Sequence, residues 1–431
     1  MIQRTVVLFL LLNTAVISMT AQERIVREQT GPSPISIEAY AVPGDSMSNA
    51  VIPLRIRFDF FVFTRSGRQS STGYAAEGEV SIEIMDSTGN SIARKIKQIA
   101  LAAEDNAVPV LRNRFFQDLF SFQLPAGKYS IMLLVTDKES KRRYTDTKRT
   151  FVVASMTNFR SELIPVQTAT ENGFSLFNLG GDVIFSKDYG FILLSSTPYD
   201  KAYYTLNKLQ AEDEEKETVA DHQEIQFVRR DQSTVSAGLA TAHIELKAVA
   251  RTGTQLQYIT FDGSQLKQGR YELIITLPDS VQITTTFSAR WLDMPMSLLD
   301  LEAATEPIQF IASKDDYSDL RKGSRNTRIK KFEDFWKTKD PSPLTAYNEV
   351  MHEFYRRVDY SITAFRTLKE INGAITDRGK IYILFGKPSS TERLLSPTGA
   401  PREIWKYVTL KKVFTFEDPG KQGNYKLTEN K

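Results

Sequence analysis

The sequence predicts a mainly β protein with an α+β C-terminal domain: two tandem antiparallel β-sandwiches, then helices packed on a small antiparallel sheet. Three observations carry this. Apolar and polar residues alternate at period two between turn signals over residues 35–154, the mark of half-buried strands. A strand-entry pattern centred on Gly127 returns 142 residues later at Gly269. From Met294 the apolar spacing changes to the three- and four-residue steps of amphipathic helix.

Residues 1–21 have the layout of a secretory signal peptide. Arg4 supplies the positive start, Val6 to Leu12 an unbroken apolar run, and Ser18, Thr20 and Ala21 small residues for cleavage, with Ala21 the preferred point. That run is short against the ~20 apolar residues a membrane-spanning helix needs, and nothing downstream approaches a span. The expected location is therefore periplasmic or extracellular. The chain contains no Cys, which excludes disulfides, thiolate metal sites, Cys nucleophiles and a lipid-anchored Cys. Core burial alone must hold it, and 431 residues at 41% hydrophobic content can do so as several domains. A net charge of +3 with 25% charged residues gives no electrostatic case for nucleic acid.

After a polar leader from Glu23 to Pro34, the first sandwich is expected over 35–154. Leu54, Ile56, Phe58, Phe60 and Val62 alternate with Arg55, Arg57 and Asp59, and Val80, Ile82 and Ile84 with Ser81 and Glu83. Asp86 to Asn90 turns the chain, and further strands read at 93–101, 116–124, 129–135 and 144–153. About seven short strands at regular spacing argue for two packed antiparallel sheets. The second sandwich is expected over 158–293, because Leu124-Pro125-Ala126-Gly127-Lys128-Tyr129 aligns without a gap on Leu266-Lys267-Gln268-Gly269-Arg270-Tyr271. A Tyr opening a late sandwich strand can bond back to the preceding corner, as in immunoglobulin-like folds. Glu212, Asp213, Glu214, Glu215, Glu217, Asp221 and Glu224 lack the spacing of a calcium loop and read as a solvated loop or helix end.

The third domain is expected over 294–431. Arg321 to Lys331 reads as a helical linker whose basic face, with Arg325, Arg328, Lys330 and Lys331, suits an anionic surface or plain solvent. Ser342 as N-cap and Pro343 at the first position predict one long helix to about Glu370, with Leu344, Tyr347, Met351, Phe354, Val358, Ile362 and Phe365 on its buried face. Asn372-Gly373 would end it. Lys380 to Phe385 is continuously apolar and reads as the central strand beneath that helix, with further strands at 403–408 and 413–416 and a hairpin loop from Asp418 toward Tyr425 and Leu427.

In order and spacing, Phe335-Trp336, Asp340-Pro341, Asn348-Glu349, Phe354 to Val358, Gly373-x-x-Thr376-Asp377-Arg378-Gly379, Ile381 to Phe385 and Glu403-Ile404-Trp405-x-Tyr407 resemble the GWxTD domain family over roughly 325–430. The resemblance implies an exported bacterial protein in which this domain follows β-rich regions; it implies no activity and no catalytic residues. Ala374 stands where the family's namesake Trp would be.

The catalytic inventory is thin. His222, His243 and His352 are the three histidines, and no Gly-x-Ser-x-Gly elbow marks a nucleophile. His352-Glu353 opens like a zinc-protease helix, but Arg356 occupies the second His position, and three ligands such as Glu349, His352 and Glu353 on one turn rarely converge. No metal or cofactor is expected. The remaining polar constellation is Asp340, Glu349, Arg356, Arg357, Asp377 and Arg378. It reads first as an ion-pair network fastening the long helix to the turn before the central strand, and alternatively as an anion or carboxylate site built on the Arg pair. The sequence thus favours a non-enzymatic binding or scaffolding module with an envelope protein or glycan as partner. The competing reading is an envelope hydrolase or glycan-processing enzyme using carboxylates at the domain junction.

Overall fold

The computed structural model describes residues 33–44, 47–65, 73–104, 106, 111–155, 159–169, 173–209, 216–230, 232–240, 243–395 and 399–430. The expected signal peptide, most of the polar leader and residues 212–215 of the acidic stretch lie outside the described residues. Two compact units divide the chain at residues 292 and 293.

The N-terminal unit is a stack of four β-sheets. In the first, Ser48–Arg57 pairs with Ile35–Ile37, Tyr40–Val42 and Phe115–Leu124. The second contains Thr64–Arg65, Tyr74–Met85, Ser91–Ala103, Gly127–Asp137 and Arg143–Val153. Alternation sends Ile52, Leu54 and Ile56 from the first sheet and Val80, Ile82, Leu133 and Val135 from the second into one core. A seven-stranded sheet follows, in the order Val228–Arg230, Gln255–Phe261, Tyr189–Ser195, Ile164–Ala169, Gly173–Leu176, Ile244–Ala250 and Ser233–Leu239. Its partner is the five-stranded sheet Val183–Ile184, Gln282–Arg290, Gly269–Thr276, Lys201–Leu209 and Glu217–Gln226. Pairing is antiparallel except where Val183–Ile184 runs parallel to Ala289–Arg290.

Between the two sandwiches lies a further core. Tyr40, Val42 and Val51 on the outer face of the first sheet meet Ile164, Phe174, Ile192, Leu194 and Leu246 of the seven-stranded sheet. Strand Tyr189–Ser195 is consequently buried at all seven positions, with Phe191 and Leu193 in the second sandwich's core and Ile192 and Leu194 in the shared one. A buried carboxylate sits in the same layer. Glu38 is 1% exposed and accepts the amides of Gly180 (2.8 Å) and Gly181 (3.1 Å) and the Tyr40 hydroxyl. Burial raises its pKa above the usual carboxylate range, and the Tyr40 and glycine-amide hydrogen bonds offset part of that rise.

The repeated strand entries take equivalent places. Gly127–Asp137 and Gly269–Thr276 each lie inside a sheet, and each Tyr bonds back to its corner: Tyr129 Oη donates to the Pro125 carbonyl (3.0 Å) and Tyr271 Oη to the Lys267 carbonyl (2.8 Å). The described part of the acidic stretch differs from the expected loop or helix end. Glu217–Gln226 is an exposed edge strand paired with Lys201–Leu209, its carboxylates facing solvent or Lys201.

Among the described residues the C-terminal unit has five α-helices: α1 Leu301–Thr305, α2 Lys314–Leu320, α3 Arg325–Lys337, α4 Glu349–Ala364 and α5 Asp377–Phe385. Four antiparallel strands follow in sequence order, Ser390–Leu394, Arg402–Tyr407, Lys412–Glu417 and Lys426–Asn430. Two expectations are corrected. The long helix begins at Glu349, not near Ser342, because Asn348 caps it: Asn348 Oδ1 accepts the Met351 amide (2.9 Å) while Nδ2 donates to the Trp336 carbonyl (2.9 Å). Leu344, placed on the buried face by pattern, is 80% exposed, and the helix stops at Ala364. Asn372 does not terminate it; Asn372 Oδ1 caps a short 3-10 turn, Gly373–Ile375, through the Ala374 amide (3.1 Å).

The second correction concerns residues 380–385, which are helix, not strand. Thr376 Oγ1 accepts the Gly379 amide (3.1 Å) as N-cap, and Gly386 closes α5 at φ 76°, donating its amide to the Tyr382 carbonyl (2.7 Å). The run is apolar on all sides because α5 lies between two cores. Ile383 packs with Trp336, Phe354, Tyr355 and Val358, while Ile381, Tyr382 and Phe385 pack with Phe365 and with Trp405, Tyr407, Phe414 and Phe416 of the sheet.

Candidate functional site

The sequence points to the segment from Gly373 to Gly379 and the charged residues around it. Both glycines are set by close backbone approach: a Cβ on Gly373 would lie 2.2 Å from the Ser361 carbonyl oxygen, and one on Gly379 would lie 2.0 Å from that of Gly373. No side chain fits there, so α4, the 3-10 turn and the start of α5 stack backbone to backbone. Thr376 Oγ1 adds a second bond, donating to the Gly373 carbonyl (2.7 Å). Ala374 is 3% exposed, in a cluster whose aromatic volume comes from Trp336, Phe354 and Tyr355. Those rings are fixed by polar contacts, since Trp336 Nε1 donates to Tyr355 Oη (3.2 Å), which donates to the Ala304 carbonyl (2.6 Å).

The six charged residues singled out by sequence do not form one network. They occupy three separate places. Asp340 Oδ1 accepts the Ser342 amide (2.8 Å), and Glu349 Oε1 accepts the Ser342 hydroxyl (3.1 Å), so these two order the turn before α4. Arg356 and Arg357 both close on Glu353, at 2.7 Å each, and Arg357 also reaches the Ile383 and Leu384 carbonyls (3.4 Å each) at the end of α5. The hydrogen bond from Arg356 does most to hold the Glu353 carboxyl down at about 2; burial, next in size, opposes it, and Arg357 adds to the lowering. The Arg pair is thus engaged by an acid of its own helix.

Asp377 and Arg378 form the third place and join α5 to the sheet. Asp377 Oδ2 accepts the Leu427 amide (2.8 Å) on the last strand. Arg378 donates to Glu403 (3.1 Å) and the Gly423 carbonyl (3.3 Å), with its guanidinium 4.3 Å from the Tyr425 ring centroid. Glu403, missed at the sequence level as a partner, is 3% exposed and also accepts Trp405 Nε1 (2.7 Å). Its signal was present: Glu403 alternates with Trp405 on one strand face, a position where a buried acid needs a cation.

The candidate zinc-type triplet is dispersed in the same way. His352 Nδ1 contacts Tyr347 Oη (2.5 Å) and its Nε2 lies 3.3 Å from Asp293, whereas Glu349 and Glu353 have the partners given above. On the basic helix, Arg328 pairs with Glu302 (2.6 Å) and Lys331 with Asp319 (2.8 Å), so two of its cations serve α1 and α2.

Beside these groups the unit turns two large apolar side chains outward. The loop joining α4 to the 3-10 turn is tied by its own bonds, Thr367 N to the Glu370 carbonyl (2.7 Å), Glu370 N to Thr367 Oγ1 (3.0 Å) and Asn372 N to Glu370 Oε1 (3.0 Å). It presents Leu368 at 93% exposure and Ile371 at 83%.

No helix among the described residues is long and apolar enough to cross a membrane. No curated protein matches the chain. Among solved structures it is similar to purple acid phosphatase PPD1 from yellow lupin (Lupinus luteus) seeds, at 10% identity and a TM-score of 0.18, over 60% of this chain and 41% of that one. A Salmonella alpha-2-macroglobulin reacted with methylamine is similar at 9% identity and a TM-score of 0.15, over 60% of this chain and 17% of that one. A structure titled pT26-6p is similar at 7% identity and a TM-score of 0.14, over 85% of this chain and 88% of that one. The chain thus spans less than half the length of the first two. Residues 289–431 match the model of the GWxTD domain, and the C-terminal third of this chain is a GWxTD domain.

Proposed function

We propose that this is an exported cell-envelope protein, directed by residues 1–21 to the periplasm or beyond, that works by binding or scaffolding an envelope protein or glycan rather than by catalysis. One observation carries the reading: the polar residues of the matched segment bond within the fold, while two large apolar side chains beside them, Leu368 and Ile371, stand out in solvent. Thr376, Asp377, Arg378 and Glu403 bond to one another's elements, and Arg356 and Arg357 close on Glu353. A catalytic acid, base or nucleophile needs a free face toward substrate; a docking surface needs exposed apolar anchors. Leu368 and Ile371 supply these on a loop already ordered by hydrogen bonds, which lowers the entropy lost on binding.

The test is capture from envelope extract by the purified mature chain, with Leu368→Ser/Ile371→Ser as the control. Recovery of a component that the double variant fails to retain is expected. Robust hydrolytic turnover of envelope glycans by a clean monomer, abolished by one carboxylate substitution, would overturn the reading in favour of a hydrolase.

A further inference from the structure

We infer that the loop between α4 and the 3-10 turn is a peripheral membrane-docking tip that inserts Leu368 and Ile371 into an anionic lipid surface. The inference rests on the binding reading above and takes a lipid surface, in place of an envelope protein or glycan, as what this tip meets. The shape argues first. The two side chains stand out at 93% and 83% exposure, and such aliphatic tips suit a fluid interface, where burial needs no matching pocket.

Charge complementarity then selects the lipid. Arg366 and Lys369, both exposed, flank Leu368 on the loop, and the single loop acid, Glu370, is engaged with the Asn372 amide. Residues 365–431 carry 13 Lys and Arg against 7 Asp and Glu, so the tip belongs to the basic portion of the domain. Tyr360 adds an interfacial element. It is 52% exposed on α4, one helical turn before the helix end, and stacked on Tyr382 at 4.5 Å, an amphipathic ring of the kind that sits at headgroup level.

The experiment is co-sedimentation of the mature full-length chain with vesicles of equal parts phosphatidylglycerol and phosphatidylethanolamine, and with phosphatidylcholine vesicles. The chain is expected to sediment with the anionic vesicles. Leu368→Ser/Ile371→Ser should lower partitioning about tenfold or more at any salt. Arg366→Gln/Lys369→Gln should lower it about tenfold or more at low salt and have little effect at about 0.5 M salt, where screening removes the attraction. These residues are exposed, so unfolding midpoints should stay unchanged and separate docking from misfolding. Wild-type chain left in the supernatant with anionic vesicles, or equal sedimentation of the variants, overturns the inference. If vesicle binding fails while the apolar variant still loses a captured envelope protein, the occupant is a protein pocket. That outcome removes the lipid assignment and leaves the binding reading standing.

Discussion

Replacing Glu403 by Gln asks whether the Arg378 anchor holds the GWxTD domain together. The Glu403 and Arg378 side chains are 4% and 12% exposed, 3.1 Å apart. The two carboxylate oxygens divide their work, one accepting Trp405 Nε1 at 2.7 Å and the other Arg378. A Gln keeps one acceptor, so its NH2 group must face either the indole N–H or the guanidinium, two donors in opposition. Removing one partner of a buried pair costs about 3–5 kcal/mol. Arg378 keeps the Gly423 carbonyl at 3.3 Å and the Tyr425 ring, which places the expected loss at the lower end, about 3 kcal/mol. At ~2–4 °C per kcal/mol for a domain of this size, the midpoint should fall by about 6–12 °C. Tryptophan fluorescence follows this unit directly, since Trp336 and Trp405 are both buried in it. Arg393→Gln, 3.6 Å from the same carboxylate but 70% exposed, should shift the midpoint by no more than ~0.5 kcal/mol equivalent. A Glu403→Gln midpoint within about 1 °C of wild type would refute the assignment of this pair as a structural anchor.

Two carboxylates predict opposite pH dependences. Glu38 has a folded pKa above its ordinary value of 4.5, so its contribution is full below that value and is lost as pH rises through the folded pKa. The stability of Glu38→Gln relative to wild type should therefore climb as pH rises above 4.5, and a flat difference in urea midpoints counts against the buried clasp. Glu353 is the reverse: held at about 2, it stabilises above 4.5 and loses that contribution as pH falls toward about 2. Its side chain is 41% exposed, so screening limits the effect to below ~1 kcal/mol, seen as a shallower acid limb in Glu353→Gln. Tyr129→Phe and Tyr271→Phe should each cost about 1 kcal/mol by chemical denaturation, the loss of one corner hydrogen bond, and no cost at either position would contradict the equivalence of the repeats.

The β-rich part of the fold is legible because alternation and corner chemistry are local. Val80, Ile82 and Ile84 announce a strand, and Tyr129 and Tyr271 announce their own hydrogen bonds. The shared core between sandwiches is harder to read, since Val51 looks like an outward residue of its strand until the seven-stranded sheet covers it. The α5 segment reads as a strand for a related reason: burial between two cores erases helical periodicity, leaving a short apolar run that strand and helix explain equally well. The cap at Asn348 competed with a good alternative at Ser342 and won through a tertiary bond to Trp336, which sequence does not display. Of the candidate site, the local pairing was visible and the distant one was not. Glu353 stands three and four residues before Arg356 and Arg357, the spacing of helix ion pairs, whereas Glu403, which holds Arg378, lies on a distant strand, and the exposure of Leu368 and Ile371 depends on where α4 stops.

In the C-terminal unit a polar set holds the fold, and the proposed docking loop carries the exposed apolar side chains Leu368 and Ile371. Photo-crosslinking from a benzoylphenylalanine at position 368, compared with one at the exposed edge-strand position Thr391, tests that division in the producing cell. A discrete lipid or protein adduct from position 368, much stronger than from 391, is the predicted result. No adduct from 368 in a chain that unfolds at the wild-type midpoint would contradict it.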